Sequence, residues 1–245
     1  MRCALAVPAL ALVAAGCVSA PRTPARGDLI RGILASTVQL RSEREGGIRR
    51  AASGVVVAVD RASRRAWIVT AKHFVDPPSR QQLFVRLPGR ASVGGASVVF
   101  VSREYDLAIL EAVDLDVVAV RLKTMVHLGD NIMVVAFPWG QRFTVVGGLV
   151  SQIGAPMTGQ ILVEGPARMV SASVSYGSSG GGIFDGETGE LVGIVEGYRT
   201  AKVAIPEMKE HVLEMPVAGE TNVVPAETIL KVIGEAGLGD FIPRP

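Results

Sequence analysis

The 245-residue chain is poor in several features that would commit it to a class early. Its two cysteines, Cys3 and Cys17, lie in the first seventeen residues, so the remainder can hold no internal disulfide and must rely on packed cores. Lys plus Arg (25) and Asp plus Glu (23) nearly balance at a formal +2, which gives no charge signature of a nucleic-acid or acidic partner. Three histidines, His73, His127 and His211, have no spacing that suggests a metal site. The apolar run from Ala4 to Ala15 is too short to span a bilayer as a helix. Internal repeats, coiled-coil heptads and low-complexity tracts are absent.

What is present at the N-terminus is a targeting pattern. Met1-Arg2, the apolar run and Gly16-Cys17 form the charged start, hydrophobic middle and small-residue end of a secretory signal. Val13-Ala14-Ala15-Gly16-Cys17 resembles a bacterial lipobox, in which the cysteine is acylated and heads the mature chain, with Ala14 where leucine is commonest. The expected order is a lipoprotein signal peptide at 1–16, lipidation at Cys17 and a tether over 17–29, where Val18–Gly27 is rich in Pro, Ala and Arg and aperiodic. Acyl chains add membrane affinity of about 0.8 kcal/mol per buried methylene. Val18 is not the aspartate associated with inner-membrane retention, which points to the outer membrane of a bacterial envelope, facing the periplasm.

From about Ile30 the chain reads as short strands between turn residues: 33–41, 53–59, 65–70, 83–87, 96–101, 107–112, 132–137, 143–153, 160–163, 169–173, 182–184 and 190–198. Many short strands with glycine-rich turns predict an all-β sandwich or barrel. One helix is expected over 225–236, with Pro225 at its start, Ile229, Leu230, Val232 and Ile233 as an apolar stripe, and Gly237 after its end. A short helical turn is expected at His73, and 199–221 reads as a long loop or hairpin.

Three motifs carry chemistry. Gly177-Ser178-Ser179-Gly180-Gly181-Gly182 surrounds a serine with residues that permit a tight turn, so that the N–H groups of Gly177 and Ser179 can converge on one point. His73 follows the apolar run Ala66–Thr70, where a strand ends and an imidazole can face a cleft. Asp106 immediately precedes Leu107-Ala108-Ile109-Leu110, and a carboxylate at the head of a buried strand suits the orientation of a histidine and the stabilisation of imidazolium. Asp60, Asp76, Asp114, Asp116 and Asp130 compete with it, and Asp106 is preferred for the apolar run that follows it.

The order His, Asp, Ser is that of the chymotrypsin-like serine proteases, not of subtilisins or α/β-hydrolases. The sequence resembles that family, and more closely its HtrA/DegP-like branch. Ser53-Gly54-Val55-Val56-Val57 resembles the branch's opening Gly-Ser-Gly strand, and Leu128-Gly129-Asp130 through Phe137-Pro138-Trp139-Gly140 resembles its Gly-Asp…Asn-Pro-Phe-Gly segment. Thr144–Ser151, Gly189–Ile194 and Val223-Val224-Pro225 extend the similarity over about 33–235. The resemblance implies two packed six-stranded β-barrels within 30–245, about 30–122 and 123–224, followed by the short C-terminal helix.

It also implies roles: His73 as general base, Asp106 as its orienting carboxylate, Ser179 as nucleophile, and Gly177 with Ser179 as oxyanion donors. The implied reaction is hydrolysis of a polypeptide through an acyl-enzyme, with no metal and no cofactor. Ser173, Val174, Glu196 and Tyr198 are the implied substrate-pocket residues: Ser173 and Val174 fall at the base of the primary pocket, Tyr198 narrows a wall, and uncharged small or medium residues are expected there. A homo-trimer would follow the family. Lys72 replaces a small or polar residue before the histidine. Gly182 stands where trypsins carry proline, so a less rigid loop is expected. Glu196 falls where trypsins have a serine bonding the triad aspartate, and is expected to turn away from Asp106. An end at Pro245 leaves no room for the PDZ domain that HtrA proteins append. Two rival readings are a pseudoprotease lipoprotein that binds a peptide in the interbarrel cleft, and an esterase using the same serine.

Overall fold

The continuous apolar runs find their explanation in a two-barrel arrangement in which many strands bury both faces. The computed structural model describes residues 25–47, 49–77, 81–154, 161–204 and 212–243. The signal, Cys17 and His211 lie outside them. The first barrel comprises β1 (Thr37–Arg44), β2 (Arg49–Asp60), β3 (Arg65–Thr70), β4 (Gln81–Arg86), β5 (Val93–Val101) and β6 (Ala108–Val113). It closes in the order β1-β2-β3-β6-β5-β4. A two-residue strand, β7 (Val126–His127), precedes β8 (Asn131–Ala136) and β9 (Thr144–Ile153). Then follow β10 (Glu164–Gly165), β11 (Ala167–Val170), β12 (Gly182–Asp185), β13 (Leu191–Ala204) and β14 (Val212–Pro225). The second barrel closes in the order β11-β14-β13-β12-β8-β9, while β7 and β10 pair apart from it.

Strand alternation sorts neighbouring apolar residues into different cores. On β2, Val56 points into the first barrel with Leu40, Ile68 and Leu110, whereas Val55 and Val57 point out of it. On β8, Val134 joins the second barrel's interior with Ile183, Val192 and Val195, whereas Met133 and Val135 point out. The outward sets meet in a third apolar layer with Trp67, Val69, Ile109, Phe184 and Ile194. Neither barrel could expose that face to water, since each buried Val, Ile or Phe is worth roughly 1.5–3 kcal/mol. This layer holds the two barrels together beneath the catalytic motifs.

Two helices complete the same layer. One, α1 (Arg26–Leu34), places Ile33 in it with Leu29, Ile30 and Leu34 alongside. The sequence reading put a tether through residue 29 and a strand from Ile33; instead the apolar residues at 29, 30 and 33 share a helical face. Ser36 and Thr37 end the helix by donating their hydroxyls to the Ile33 carbonyl, both at 2.9 Å. A one-turn helix, α2 (Lys72–Val75), carries His73. The C-terminal helix, α3 (Ala226–Glu235), buries Ala226, Ile229, Val232 and Ile233, while Leu230 is 40% exposed and lies off the stripe. Gly237 follows at φ +71°.

Other differences are local. The described residues of the expected loop or hairpin, 199–204 and 212–221, lie in the antiparallel pair β13 and β14, whose register runs from Gly193 opposite Pro225 to Ala204 opposite Val212. Ile161–Val163 forms no strand, and Ile161 is 94% exposed. Gly182 is no loop residue: it opens β12 between Val135 and Ile194. A Cβ there would sit 2.3 Å from the Phe184 ring, so interior packing, not loop flexibility, accounts for the glycine.

Candidate active site

His73 owes its position to α2, which turns immediately after β3. Phe74 and Val75 are anchored in the first barrel's core, which leaves the imidazole outward with its side chain 47% exposed. Asp106 ends a tight turn before β6. Ser102 Oγ accepts the Tyr105 N–H at 3.2 Å, and Ser102 N–H donates to the Leu107 carbonyl at 2.9 Å. The two elements meet through both carboxylate oxygens: Oδ2 lies 2.6 Å from His73 Nδ1 and Oδ1 accepts the His73 backbone N–H at 2.8 Å.

Burial opposes ionisation of Asp106, but the His73 ring and backbone hydrogen bonds, with the charges of His73 and Lys72, outweigh it and hold the carboxyl below its ordinary value. The ionised carboxylate only accepts, so Nδ1 carries the proton of this hydrogen bond and Nε2 is the nitrogen left to face a partner other than Asp106. Glu196 is exposed at a bulge in β13 and gives Asp106 no hydrogen bond.

The serine loop is defined by its carbonyls. Tyr176 O accepts the Trp139 N–H at 2.7 Å, Ser178 O accepts the Gly181 N–H at 2.8 Å, and Ser179 O accepts the Ser53 N–H at 2.9 Å. Gly177 O accepts the Ser53 hydroxyl at 2.9 Å. In a trans peptide the N–H points opposite the C=O. Fixing the Tyr176 and Ser178 carbonyls therefore fixes the directions of the Gly177 and Ser179 N–H groups, and among the described residues neither meets an acceptor. Two oriented, unpaired donors flanking a serine can receive an oxyanion.

Glycine is demanded at two points of this loop. Gly177 has φ +86° and a Cβ would lie 2.7 Å from Trp139 N. Gly180 has φ +75° and a Cβ would lie 2.3 Å from Ser53 O and 2.4 Å from Thr70 Oγ1. Gly180 thus packs the serine loop onto the end of β3, three residues before His73. Ser179 is partly exposed there, but no hydrogen bond joins its hydroxyl to His73 among the described residues.

The residues expected to form the substrate pocket differ in exposure and partners, and Glu196 is exposed on β13. Ser173 is exposed and its Oγ accepts the Gly219 N–H at 3.2 Å, Val174 packs against the second core, and Tyr198 lies opposite Thr221 on the hairpin. His127 stands apart, near Asp130 and Glu164. No group of three or more His, Cys, Asp or Glu among the described residues could hold a metal ion.

Ser53, Trp139 and Gln39 escaped assignment from sequence. Ser53 is fully buried; its Oγ also accepts the Phe137 N–H at 2.8 Å. Trp139 adopts φ +55° in the 3₁₀ turn Pro138–Gly140 and is 66% exposed. Gln39 steadies that turn through Nε2, which donates to the Gly140 carbonyl at 2.5 Å. The one available signal was a serine heading an otherwise apolar strand, Ser53 before Gly54-Val55-Val56-Val57.

The trypsin-like peptidase domain model matches residues 52–194. A probable periplasmic serine endoprotease DegP-like from Hahella chejuensis is 31% identical over 144 residues, which is 58% of this chain and 28% of that protein. The serine endoprotease DegS of Haemophilus influenzae is 29% identical over 144 residues, 58% of this chain and 40% of its own length. The chain therefore spans well under half of each of these relatives. Among solved structures, the serine endoprotease from Yersinia pestis superposes with a TM-score of 0.64 at 20% identity, covering 88% of this chain and 68% of that one. An HtrA-type protease solved with a tripeptide gives 0.63 at 21% identity, covering 86% and 63%.

Proposed function

Because this chain belongs to the trypsin-like peptidase family, whose model matches residues 52–194, we propose that it is a serine endopeptidase acting on polypeptides through an acyl-enzyme at Ser179. The observation that carries the reading is the double hydrogen bond between His73 and Asp106, beside a serine loop whose Gly177 and Ser179 N–H groups are oriented and unpaired. His73 Nε2 takes the Ser179 proton as Oγ bonds to the scissile carbonyl carbon. The carbonyl oxygen becomes an oxyanion between the two N–H groups, and Asp106 stabilises the imidazolium. Collapse breaks the C–N bond, and the imidazolium protonates the departing amine. Water activated by His73 then hydrolyses the ester. Ser173 and Val174, at the base of the proposed pocket and both uncharged, fit a small or medium uncharged residue on the acyl side.

The proposed setting is the bacterial envelope, supported by the periplasmic descriptions of DegP-like relatives. Within it we assign a lipid anchor at Cys17 in the outer membrane, a trimeric assembly, and a role in envelope protein processing or quality control. A second reading, a silent protease that only binds peptides in the cleft, draws on the missing Ser179–His73 hydrogen bond. That bond often forms only once substrate arrives, so the hydrolytic reading is preferred. Digestion of an unfolded polypeptide tests the choice: cleavage by the parent and none by Ser179→Ala is expected, and equal traces would leave the binding reading.

A further inference from the structure

Resting on the endopeptidase reading, we infer that the enzyme selects substrates carrying an acidic side chain two or three residues beyond the scissile bond, on the leaving-group side. A pocket of 310 Å³ adjoins the serine loop at Tyr176, the residue before the oxyanion donor Gly177. Arg41, Arg49 and Arg50 line it together with Trp139, and Glu43 is its one acidic wall residue. It contains none of Ser173, Val174, Glu196 or Tyr198, so it lies apart from the surface assigned to the acyl side.

An extended chain advances about 3.3 Å per residue. With the scissile carbonyl at Gly177 and Ser179, and Tyr176 lining the same pocket as the arginines, the second or third residue after that carbonyl is placed against them. The serine loop packs closely on the pocket wall at this end, since a Cβ on Gly177 would touch both Trp139 N and Gly140 N. Trp139 and Tyr176 pack with their rings tilted by 39° and centroids 5.3 Å apart, and are 66% and 45% exposed, giving the substrate backbone an apolar floor. The charges above it are only partly committed. Arg49 meets Glu43 at 3.1 Å, Arg41 makes a long 3.4 Å contact with the Gly140 carbonyl, and Arg50 donates to the Asp76 carbonyl at 3.1 Å. Three guanidinium groups against one carboxylate leave a net positive site, and guanidinium is the donor best matched to a carboxylate.

The test uses the 245-residue protein and paired fluorogenic peptides, identical on the acyl side, with Glu or Lys at the second and third leaving-side positions. Exposed ion pairs are weak, so a Glu-over-Lys preference of about three- to tenfold in kcat/KM is expected, falling toward unity as salt is raised. Arg41→Glu with Arg49→Glu should reverse the preference; Arg50 is spared because it also holds the turn behind His73. The Glu/Lys ratio cancels any loss common to both peptides. Equal turnover of the pair, or a preference unchanged in the double variant, overturns the inference and leaves the endopeptidase reading intact. No turnover together with no fluorophosphonate labelling of Ser179 overturns that reading, and this inference with it.

Discussion

Ser53 and Gly177, 124 positions apart, are joined by a buried hydrogen bond of 2.9 Å from the serine hydroxyl to the glycine carbonyl. The same serine donates its N–H to Ser179 O and accepts the Phe137 N–H, and its own carbonyl accepts the Thr70 hydroxyl at 2.8 Å. One residue of the first barrel thus ties the serine loop, the Pro138 turn and the strand leading to His73. Ser53→Ala would leave Gly177 O and Phe137 N–H without this partner. The expected result is a stability loss of roughly 1–3 kcal/mol and a fall in kcat of about tenfold or more with KM little changed, since the oxyanion donors lose their alignment. Denaturant titration and steady-state kinetics on one peptide check both.

Gly180→Ala is expected to be more damaging to the fold. The substitution combines a left-handed backbone with contacts of 2.3 and 2.4 Å to Ser53 O and Thr70 Oγ1. Strain and overpacking of about 1–3 kcal/mol each predict a loss of roughly 2–6 kcal/mol, readable as a lowered urea midpoint.

Asp106 links stability to pH. Its pKa is lowered in the fold, so its contribution is fully present above the unfolded value, ordinarily 3.8, and is lost as pH falls through the lowered folded value. The stability difference between parent and Asp106→Asn should be largest near neutral pH and narrow below about pH 4. The same substitution favours the wrong histidine tautomer, and activity should fall on the order of 10⁴-fold. Chemical denaturation at two pH values and a progress curve at neutral pH measure the two effects.

Lys123 fastens the segment between the barrels to β12 through a 2.6 Å ion pair with Asp185. Burial opposes ionisation of Asp185, but Lys123 and the Thr188 and Glu187 N–H groups prevail and lower its pKa. Lys123→Met would strand a carboxylate whose side chain is only 7% exposed. A destabilisation of about 1–3 kcal/mol is expected, discounted from a fully buried pair because Lys123 is 30% exposed. Asp185→Asn in the same background should restore part of it.

Strands buried on both faces, such as β3 and β8, were legible because they are written as unbroken apolar runs; Arg65–Thr70 was read to the residue. The histidine turn and C-terminal helix were legible from their local patterns. Helix α1 was not, because three apolar residues among arginines and glycines offer too short a stripe. The paired β7 and β10 are two residues each and show no period at all. His73 and Asp106 could be picked out because each sits beside an apolar strand. What Ser53 and Trp139 do depends on hydrogen bonds spanning 124 and 37 positions, which no local pattern encodes.

The central claim is an assembled nucleophile at Ser179. Its most direct test is intact-mass detection of a fluorophosphonate adduct on the 245-residue protein, beside Ser179→Ala and His73→Ala. The account predicts a single adduct that maps to Ser179 and is lost in both variants. A parent protein that remains unlabelled, even with unfolded polypeptide present, would contradict it.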